Sequence, residues 1–211
     1  LHFVKLARDP NALEQVFVIT DGLRGTARMK AMIAAIKKDA QNAALINERY
    51  QAPMADLDEL HKLPAGSLGH EFARHMKANN LSVAFYPNVD IVDDITYVEM
   101  RARATHDIWH VVTGFGVDVP GELGLQSFML AQNLSVLAPV LFAVGFVRYA
   151  IMGEVQGQPL SRIMDEISYG WQLGQKMRPL FAQRWETGWA RPLADWRSEL
   201  GLEVAHSQIA A

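Results

Sequence analysis

The sequence predicts an all-α fold in one domain, and three observations support this prediction. Hydrophobic residues recur three and four positions apart along most of the 211 residues, as they do on one face of a helix. Alternating apolar and polar residues, which are typical of half-buried strands, hardly occur. No repeat or linker divides the chain. We therefore predict a single helical bundle over residues 1–211.

Capping residues and helix breakers indicate where the first helices lie. A short helix over 11–20 is expected to stop near Gly22. Thr26 is a candidate N-cap for a second helix that runs to Lys38, because a threonine hydroxyl can accept from the first free backbone N–H groups. Residues 50–66 contain two prolines and predict a loop with one short helical turn.

Two helices are predicted before the middle of the chain. Ser67 is a candidate cap for a helix through about Lys77. Asp93 or Asp94 begins a longer helix that the following glycines end after Thr113. The apolar stripe of this long helix comprises Ile95, Val98, Ala102, Thr105, Trp109 and Val112.

The stretch 123–147 contains no charged residue and predicts a long buried helix that begins near Glu122. Polar side chains and Pro139 interrupt the stretch. Its strongly apolar part, 134–147, is shorter than the roughly 20 residues that a membrane-spanning helix needs. A helix that lies in a membrane interface is the alternative.

A further helical region is predicted after Pro159 to about Trp189, bent or divided at Gly170, Gly174 and Pro179, and a last helix over 191–200. Core packing or dimer packing is the preferred interpretation of the tryptophans near this end, with a membrane interface as the alternative. They are Trp171, Trp185, Trp189 and Trp196.

The composition excludes some partners and some ligand types. The formal net charge of −3 argues against a nucleic-acid-binding protein, which would carry a basic surface. Cysteine is absent, so a metal would be bound by His, Asp, Glu or backbone oxygen, and the absence fits a reducing compartment. The opening residues LHFVKLARDP lack the long apolar segment of a signal peptide.

The segment HDIWH at 106–110 is a candidate metal site. On a helix, His106 and His110 lie one turn apart and about 40° apart in projection, and Asp107 falls within the same third of the circumference. Glu122 is the candidate fourth ligand, because the glycine-rich loop before it can return it to the same helix end. This set suits Zn²⁺, Fe²⁺, Mn²⁺ or Co²⁺. The alternatives are surface histidines and an ordinary first-turn glutamate.

The same helix offers two candidate catalytic residues. Glu99 projects about 20° and Arg103 about 60° from His106, so both lie on the stripe that faces the metal. Glu99 can orient a histidine and Arg103 can bind an anionic substrate group. The alternative is a surface ion pair between residues four positions apart. His70 and His75, on another segment, are interpreted as helix-surface or substrate-channel residues.

Four segments resemble the coenzyme Q biosynthesis protein 4 family and its bacterial homologues. HDIWHVVTGFGVDVPGE at 106–122 is similar to the family pattern HDxxH, eleven residues, Glu. LPAGSLGHEFARHM at 63–76, ARDP at 7–10 and the C-terminal segment at 176–202 resemble the family in the same order. The segment ERYQAPM departs from the family's Arg-Pro-rich stretch.

The resemblance implies a mostly helical, metal-binding protein of ubiquinone biosynthesis. It implies that His106, Asp107, His110 and Glu122 are metal ligands, usually for zinc. It also implies binding of a polyprenyl lipid or quinone precursor in a hydrophobic pocket, and association with other ubiquinone-biosynthesis proteins. The expected location is cytoplasmic and peripheral on the inner face of the bacterial membrane, or on the matrix side in mitochondria.

Two functions follow from the resemblance, and a third from the residues. The first is an enzyme that replaces the ring C1 carboxyl of a prenylated hydroxybenzoate by hydroxyl, an oxidative decarboxylation. The second is a non-catalytic lipid-binding scaffold, which the uncharged stretch 123–147 also favours. A metal-dependent phosphohydrolase ranks last, because additional His and Asp motifs are missing.

Overall fold

The computed structural model describes residues 14–86, 89–155 and 157–202. These ranges contain ten α-helices, one 3₁₀ helix and no β-strand, so the all-α prediction is confirmed for them. The described residues divide into two compact units, each assembled from two separate chain segments. The first unit is formed within 1–36 and 118–175, and the second within 37–117 and 176–211. A single domain over 1–211 stays a prediction.

Five helices belong to the first unit. They are α1 (Glu14–Leu23), α2 (Ala27–Ile36), α7 (Val119–Ala131), α8 (Ala138–Met152) and α9 (Leu160–Lys176). The second unit contains the other five and the 3₁₀ helix. They are α3 (Ala40–Glu48), α4 (Leu57–His61), α5 (Leu68–Ala78), α6 (Asp94–Thr113), the 3₁₀ helix Trp185–Gly188 and α10 (Leu193–Leu200).

The predicted caps are present at three helices. The Thr26 hydroxyl accepts from the Met29 N–H at 3.2 Å, and Ser67 Oγ accepts from the His70 N–H at 3.3 Å. At α6, the Asp93 side chain accepts from the Thr96 N–H while the Thr96 hydroxyl accepts from the Asp93 N–H. These reciprocal bonds form a capping box and explain why α6 begins at Asp94.

The N-terminal predictions are confirmed in part. Helix α1 passes through Gly22 and ends at Leu23, and the predicted start at 11 lies outside the described residues, as does ARDP at 7–10. Helix α3 was not predicted, although Asp39 caps it by accepting from the Asn42 N–H at 2.9 Å.

The uncharged stretch forms two helices, so the prediction of one long helix is wrong. Helix α7 ends in a Schellman motif, in which Asn133 has a φ of 59° and the Leu134 N–H donates to the Met129 carbonyl at 2.7 Å. Pro139 then lies in the first turn of α8, where a missing N–H costs nothing. Within the described residues, every helix is too short or too polar to cross a membrane.

Helix α9 runs unbroken past Gly170 and Gly174 and ends at Lys176, so the predicted division near Pro179 is confirmed and a division at the two glycines is wrong. Both glycines face the backbone of α7. A Cβ at Gly174 would lie 2.6 Å from the Phe128 carbonyl oxygen, and one at Gly170 would overlap the Gly124 carbonyl. The Ser127 hydroxyl also donates to the Ile167 carbonyl at 2.7 Å. The glycines therefore allow close helix packing in the first unit.

The long helix α6 is the centre of the second unit and packs against α3, α5 and α10. Its buried Arg101 donates to Glu186 at 2.5 Å and to the Gln183 carbonyl at 2.6 Å. Trp185 and Trp196 are buried with ring centroids 4.9 Å apart, so core packing is confirmed for these two tryptophans.

Candidate metal centre

Helix α6 brings three of the predicted ligands together. His106, Asp107 and His110 each offer a ligand atom, and these atoms lie within 4.8 Å of one another. Neighbouring donors bound to one ion at about 2.1 Å are separated by roughly 3.0–3.4 Å. Rotation of the side chains can bring the three ligand atoms from their present separations to these distances. Spacings of one and four residues from His106 on one helix therefore place the three side chains around one position.

The ring of His110 is fixed by the end of its own helix. Gly114, with a φ of 86°, ends α6 and turns the chain, a conformation that favours glycine. The His110 Nδ1 then donates to the Phe115 carbonyl at 3.0 Å. Because a carbonyl only accepts, Nδ1 carries the hydrogen and Nε2 presents its lone pair. Metal-binding histidines are commonly oriented by this kind of bond.

Arg197 of α10 stabilises the same end of α6. Its Nε donates to the Val112 carbonyl at 2.9 Å and its Nη2 donates to the Val111 carbonyl at 2.8 Å. The last carbonyls of a helix lack partners within the helix and carry partial negative charge, so a cation there is favourable. The C-terminal segment of the chain thus supports the backbone next to His110.

His106 lies between two oxygen atoms. Its Nδ1 is 3.2 Å from Asp107 Oδ1 and 3.1 Å from the hydroxyl oxygen of Tyr86. Its ring also meets the His110 ring edge to face, with centroids 4.8 Å apart. The two imidazoles and the carboxylate therefore form one contiguous polar cluster.

Asp107 is a carboxylate at neutral pH. Its burial raises the pKa, but the hydrogen bond from His106 and the charges of His106, His110 and His75 together outweigh burial, so the pKa of Asp107 is lowered. An anionic oxygen beside two imidazoles is a donor set that suits Zn²⁺, Fe²⁺, Mn²⁺ or Co²⁺. The residues present therefore fit a divalent metal ion.

His75 of α5 is half-buried and lies beside the cluster, and its interpretation as a helix-surface or substrate-channel residue stays a prediction. Its ring is nearly parallel to that of His110, at 19° and with centroids 6.0 Å apart. The sequence contained a signal for this position. His75 follows Leu68 by seven residues, which places the two about 20° apart on a helix, and Leu68 is buried.

Tyr86 was missed because it lies in the loop between α5 and α6, where no periodicity indicates which way a side chain points. The two candidate catalytic residues pair with each other: the Arg103 Nη2 donates to Glu99 Oε1. Both side chains are mostly buried, so the alternative of a surface ion pair is wrong.

Glu122 lies in the first turn of α7, in the first unit, and its role as fourth ligand stays a prediction.

A sequence model of the family described as coenzyme Q (ubiquinone) biosynthesis protein Coq4 matches residues 6–206. The chain belongs to the Coq4 family. The match spans nearly the whole chain, including both histidines of the cluster and Glu122. The resemblance recognised from the four sequence segments is thereby confirmed.

Known Coq4 relatives and a solved structure agree with this membership. The rat mitochondrial ubiquinone biosynthesis protein COQ4 homolog is 30% identical over 190 residues, which cover 88% of this chain and 69% of the relative. The human homolog is 27% identical over 183 residues, covering 84% and 67%. A crystal structure of a Nostoc punctiforme protein, described as a ubiquinone biosynthesis protein, is 36% identical with a TM-score of 0.85. The similarity covers 97% of this chain and 96% of that one.

Proposed function

We propose that this protein is a metal-binding enzyme of ubiquinone biosynthesis that acts on a polyprenylated hydroxybenzoate. The observation that carries the proposal is the group His106, Asp107 and His110, whose ligand atoms lie within 4.8 Å of one another. Membership of the Coq4 family supports the pathway. The proposed reaction is oxidative decarboxylation at ring C1, in which hydroxyl replaces the carboxyl.

The side chains have distinct proposed roles. His106, Asp107 and His110 hold the metal, with Glu122 as the proposed fourth ligand. Arg103 binds the substrate carboxylate through its planar guanidinium, and Glu99, with which it pairs, holds that guanidinium in place. When bound, the metal supplies Lewis-acid polarisation of a substrate oxygen.

The identity of the metal matters because the exchange of carboxyl for hydroxyl removes two electrons from the substrate and releases CO₂. The reaction needs an oxidant, and we propose dioxygen, which takes up the two electrons and is reduced to hydrogen peroxide while water supplies the hydroxyl oxygen. Zinc fits the ligand set but has no redox chemistry. Iron, manganese and cobalt accept the same imidazole and carboxylate ligands. A zinc ion that co-purifies is therefore not necessarily the active metal.

A non-catalytic lipid-binding scaffold is the second candidate, and the surface of the first unit favours it. Helices α8 and α9 carry large apolar side chains that are exposed, namely Phe146, Val147, Ile151, Met152, Met164 and Trp171. A polyprenyl tail or a membrane surface can cover such side chains. Peripheral membrane association, a lipid pocket, contact with other ubiquinone-biosynthesis proteins and a homodimer belong to this proposal.

Reconstitution with different metals tests the enzyme against the scaffold. Metal-free protein is loaded in turn with Fe²⁺, Mn²⁺, Co²⁺ and Zn²⁺ and incubated aerobically with a prenylated hydroxybenzoate, and CO₂ release is measured. We expect activity with some of these metals only, and loss of at least about 100-fold in His110→Ala, since second-shell changes alone cost 10–100-fold. The exposed His61 provides the control, and His61→Ala should retain activity.

Inactivity with all four metals, in an assay that a known decarboxylating system validates, would contradict the enzyme. Isoprenoid in a lipid extract of the same preparation would then support the scaffold. A preparation that is inactive and also free of isoprenoid would contradict both proposals.

A further inference from the structure

Tyr86 reaches the candidate metal centre from outside helix α6. Its hydroxyl oxygen lies 3.1 Å from His106 Nδ1, and its ring meets the His106 ring at 67° with centroids 6.1 Å apart. The side chain is half-buried. Neither the family motif nor helical periodicity singles out this residue, so the contact is evident only from the structure.

The end of helix α5 determines where this loop goes. Asn80 has a φ of 53°, the Asn80 N–H donates to the Lys77 carbonyl at 3.3 Å, and the Leu81 N–H donates to the Met76 carbonyl at 2.9 Å. These two bonds are a Schellman motif, which ends the helix and reverses the chain. The Phe85 N–H then donates to the Ser82 carbonyl at 3.0 Å, which closes a turn directly before Tyr86.

Three donor atoms follow one another at distances typical of a shared ion. The Tyr86 oxygen is 3.1 Å from His106 Nδ1, which is 3.2 Å from Asp107 Oδ1. Donors that neighbour each other around one ion, each at about 2.1 Å, lie roughly 3.0 Å apart in an octahedral site and 3.4 Å in a tetrahedral one. An imidazole nitrogen has either one hydrogen or one lone pair. His106 Nδ1 can therefore form a good hydrogen bond with one of these two oxygens, whereas a metal ion can bind all three donor atoms.

We propose that Tyr86 is a further ligand of the metal, through its phenolic oxygen. Binding displaces the phenolic proton to solvent, as metal binding displaces protons from other ligands. The inference rests on the proposed function, because it requires a metal ion at His106 and Asp107. With Asp107 and the proposed Glu122, the Tyr86 oxygen would be a third oxygen ligand. Oxygen atoms are hard ligands, and this set favours iron or manganese over zinc.

Ferric iron provides a spectroscopic test that does not depend on activity. A phenolate bound to Fe³⁺ gives a charge-transfer absorption in the visible range, which His and Asp ligands do not give. We expect wild-type protein loaded with Fe³⁺ to be coloured, and Tyr86→Phe to lose the band while still binding iron. Tyr169→Phe, in the first unit, is the matched control and should keep the band. Resonance Raman excitation in the wild-type band should show tyrosinate vibrations, a result that needs no variant.

The affinity for Co²⁺ separates the failure of this inference from the failure of the proposed function. We expect Tyr86→Phe to weaken Co²⁺ binding by about 10-fold, and His110→Ala to weaken it far more. Wild-type protein that binds Fe³⁺ through the histidines without a visible band would overturn the Tyr86 ligand only. A band that persists in Tyr86→Phe would overturn it as well. Co²⁺ binding that is absent, or unaffected by His110→Ala, would overturn the metal centre itself.

Discussion

Asp94 joins two cations in the second unit. Lys37 Nζ donates to its Oδ2 at 2.7 Å, and Arg49 Nη2 donates to its Oδ1 at 2.5 Å. Hydrogen bonds from Lys37 and then Arg49 lower the pKa of Asp94, although burial opposes them. The folded-state pKa therefore lies below the unfolded value of about 3.9. The stabilisation is present above about pH 4 and is lost as the pH falls through the folded-state pKa.

Replacing the Asp94 carboxylate should lower the stability of the protein by an amount that depends on pH. We expect Asp94→Asn to lower the free energy of unfolding at pH 7 by about 1 kcal/mol, since partly exposed pairs contribute about 0.2–1 kcal/mol each. The difference from wild type should shrink at pH 3. Urea unfolding at both pH values measures the effect. Asp58→Asn, which removes the exposed pair with Lys77, is the control and should change stability less. An equal penalty at both pH values would contradict the assignment.

Single residues that cap helices were predictable, whereas residues that reach across the fold were not. Ser67 and Thr26 act within three residues of their own position, so local sequence indicates their role. Asp94 was considered only as a helix start, because its cations lie 45 and 57 positions away. Tyr86 contacts a residue 20 positions away from within a loop.

At the scale of the helix, the contact between α7 and α9 depends on the absence of a side chain. Gly170 lies against the Gly124 carbonyl, and an added Cβ would meet backbone rather than a flexible side chain. We expect Gly170→Ala to lower the free energy of unfolding by about 3 kcal/mol, at the upper end of the cost of overpacking. Thermal or urea unfolding measures the change.

Gly22 offers a matched control in another helix of the same unit. A Cβ at Gly22 meets no atom within 4 Å. Gly22→Ala should therefore be neutral or stabilising by up to about 1 kcal/mol, because alanine has the higher helix propensity. If both alanine variants had the same stability, close packing at Gly170 would be contradicted.

Helix boundaries depended on interactions that propensity does not describe. The break between α7 and α8 comes from Asn133 in a left-handed conformation, and asparagine adopts this conformation less often than glycine. Glycines in α9 resemble helix breakers in the sequence, but their partner helix makes them favourable. Helix α3 has a weak pattern of apolar residues, with Leu45 and Ile46 buried, and its residues drew no prediction.

For the whole molecule, a bound metal should stabilise the second unit. An ion that binds only the folded state stabilises it by about 2.7 kcal/mol when the free ion concentration is 100 times the dissociation constant. For a chain of this size, this corresponds to a rise in Tm of about 5–10 °C. Calorimetry of metal-free protein with and without Zn²⁺ measures the rise, and a chelator should reverse it.

His110→Ala should abolish the rise in Tm, and His61→Ala should retain it. The comparison matters because divalent ions can bind surface histidines without involving the predicted ligands. A rise that is equal in the wild type and in His110→Ala would assign the stabilisation to another site.

The fold class and the family were predictable because both depend on features spread along the chain. Helical periodicity is visible even where the predicted helix boundaries are wrong. The spaced motif identifies His106, Asp107 and His110 together. The division into two units was not predictable. Each unit combines segments that are far apart in the sequence, and no composition shift marks where the chain passes from one to the other.

The bond between Arg197 and the end of α6 has a consequence for protein synthesis. Arg197 is 85 residues from Val112, and Glu186 is 85 residues from its partner Arg101. At 5–20 residues per second, a ribosome needs roughly 4–17 s to make the intervening chain. The helix that carries both histidines therefore emerges well before the residues that stabilise it. Metal loading by a fully ordered site therefore has to follow the synthesis of α10.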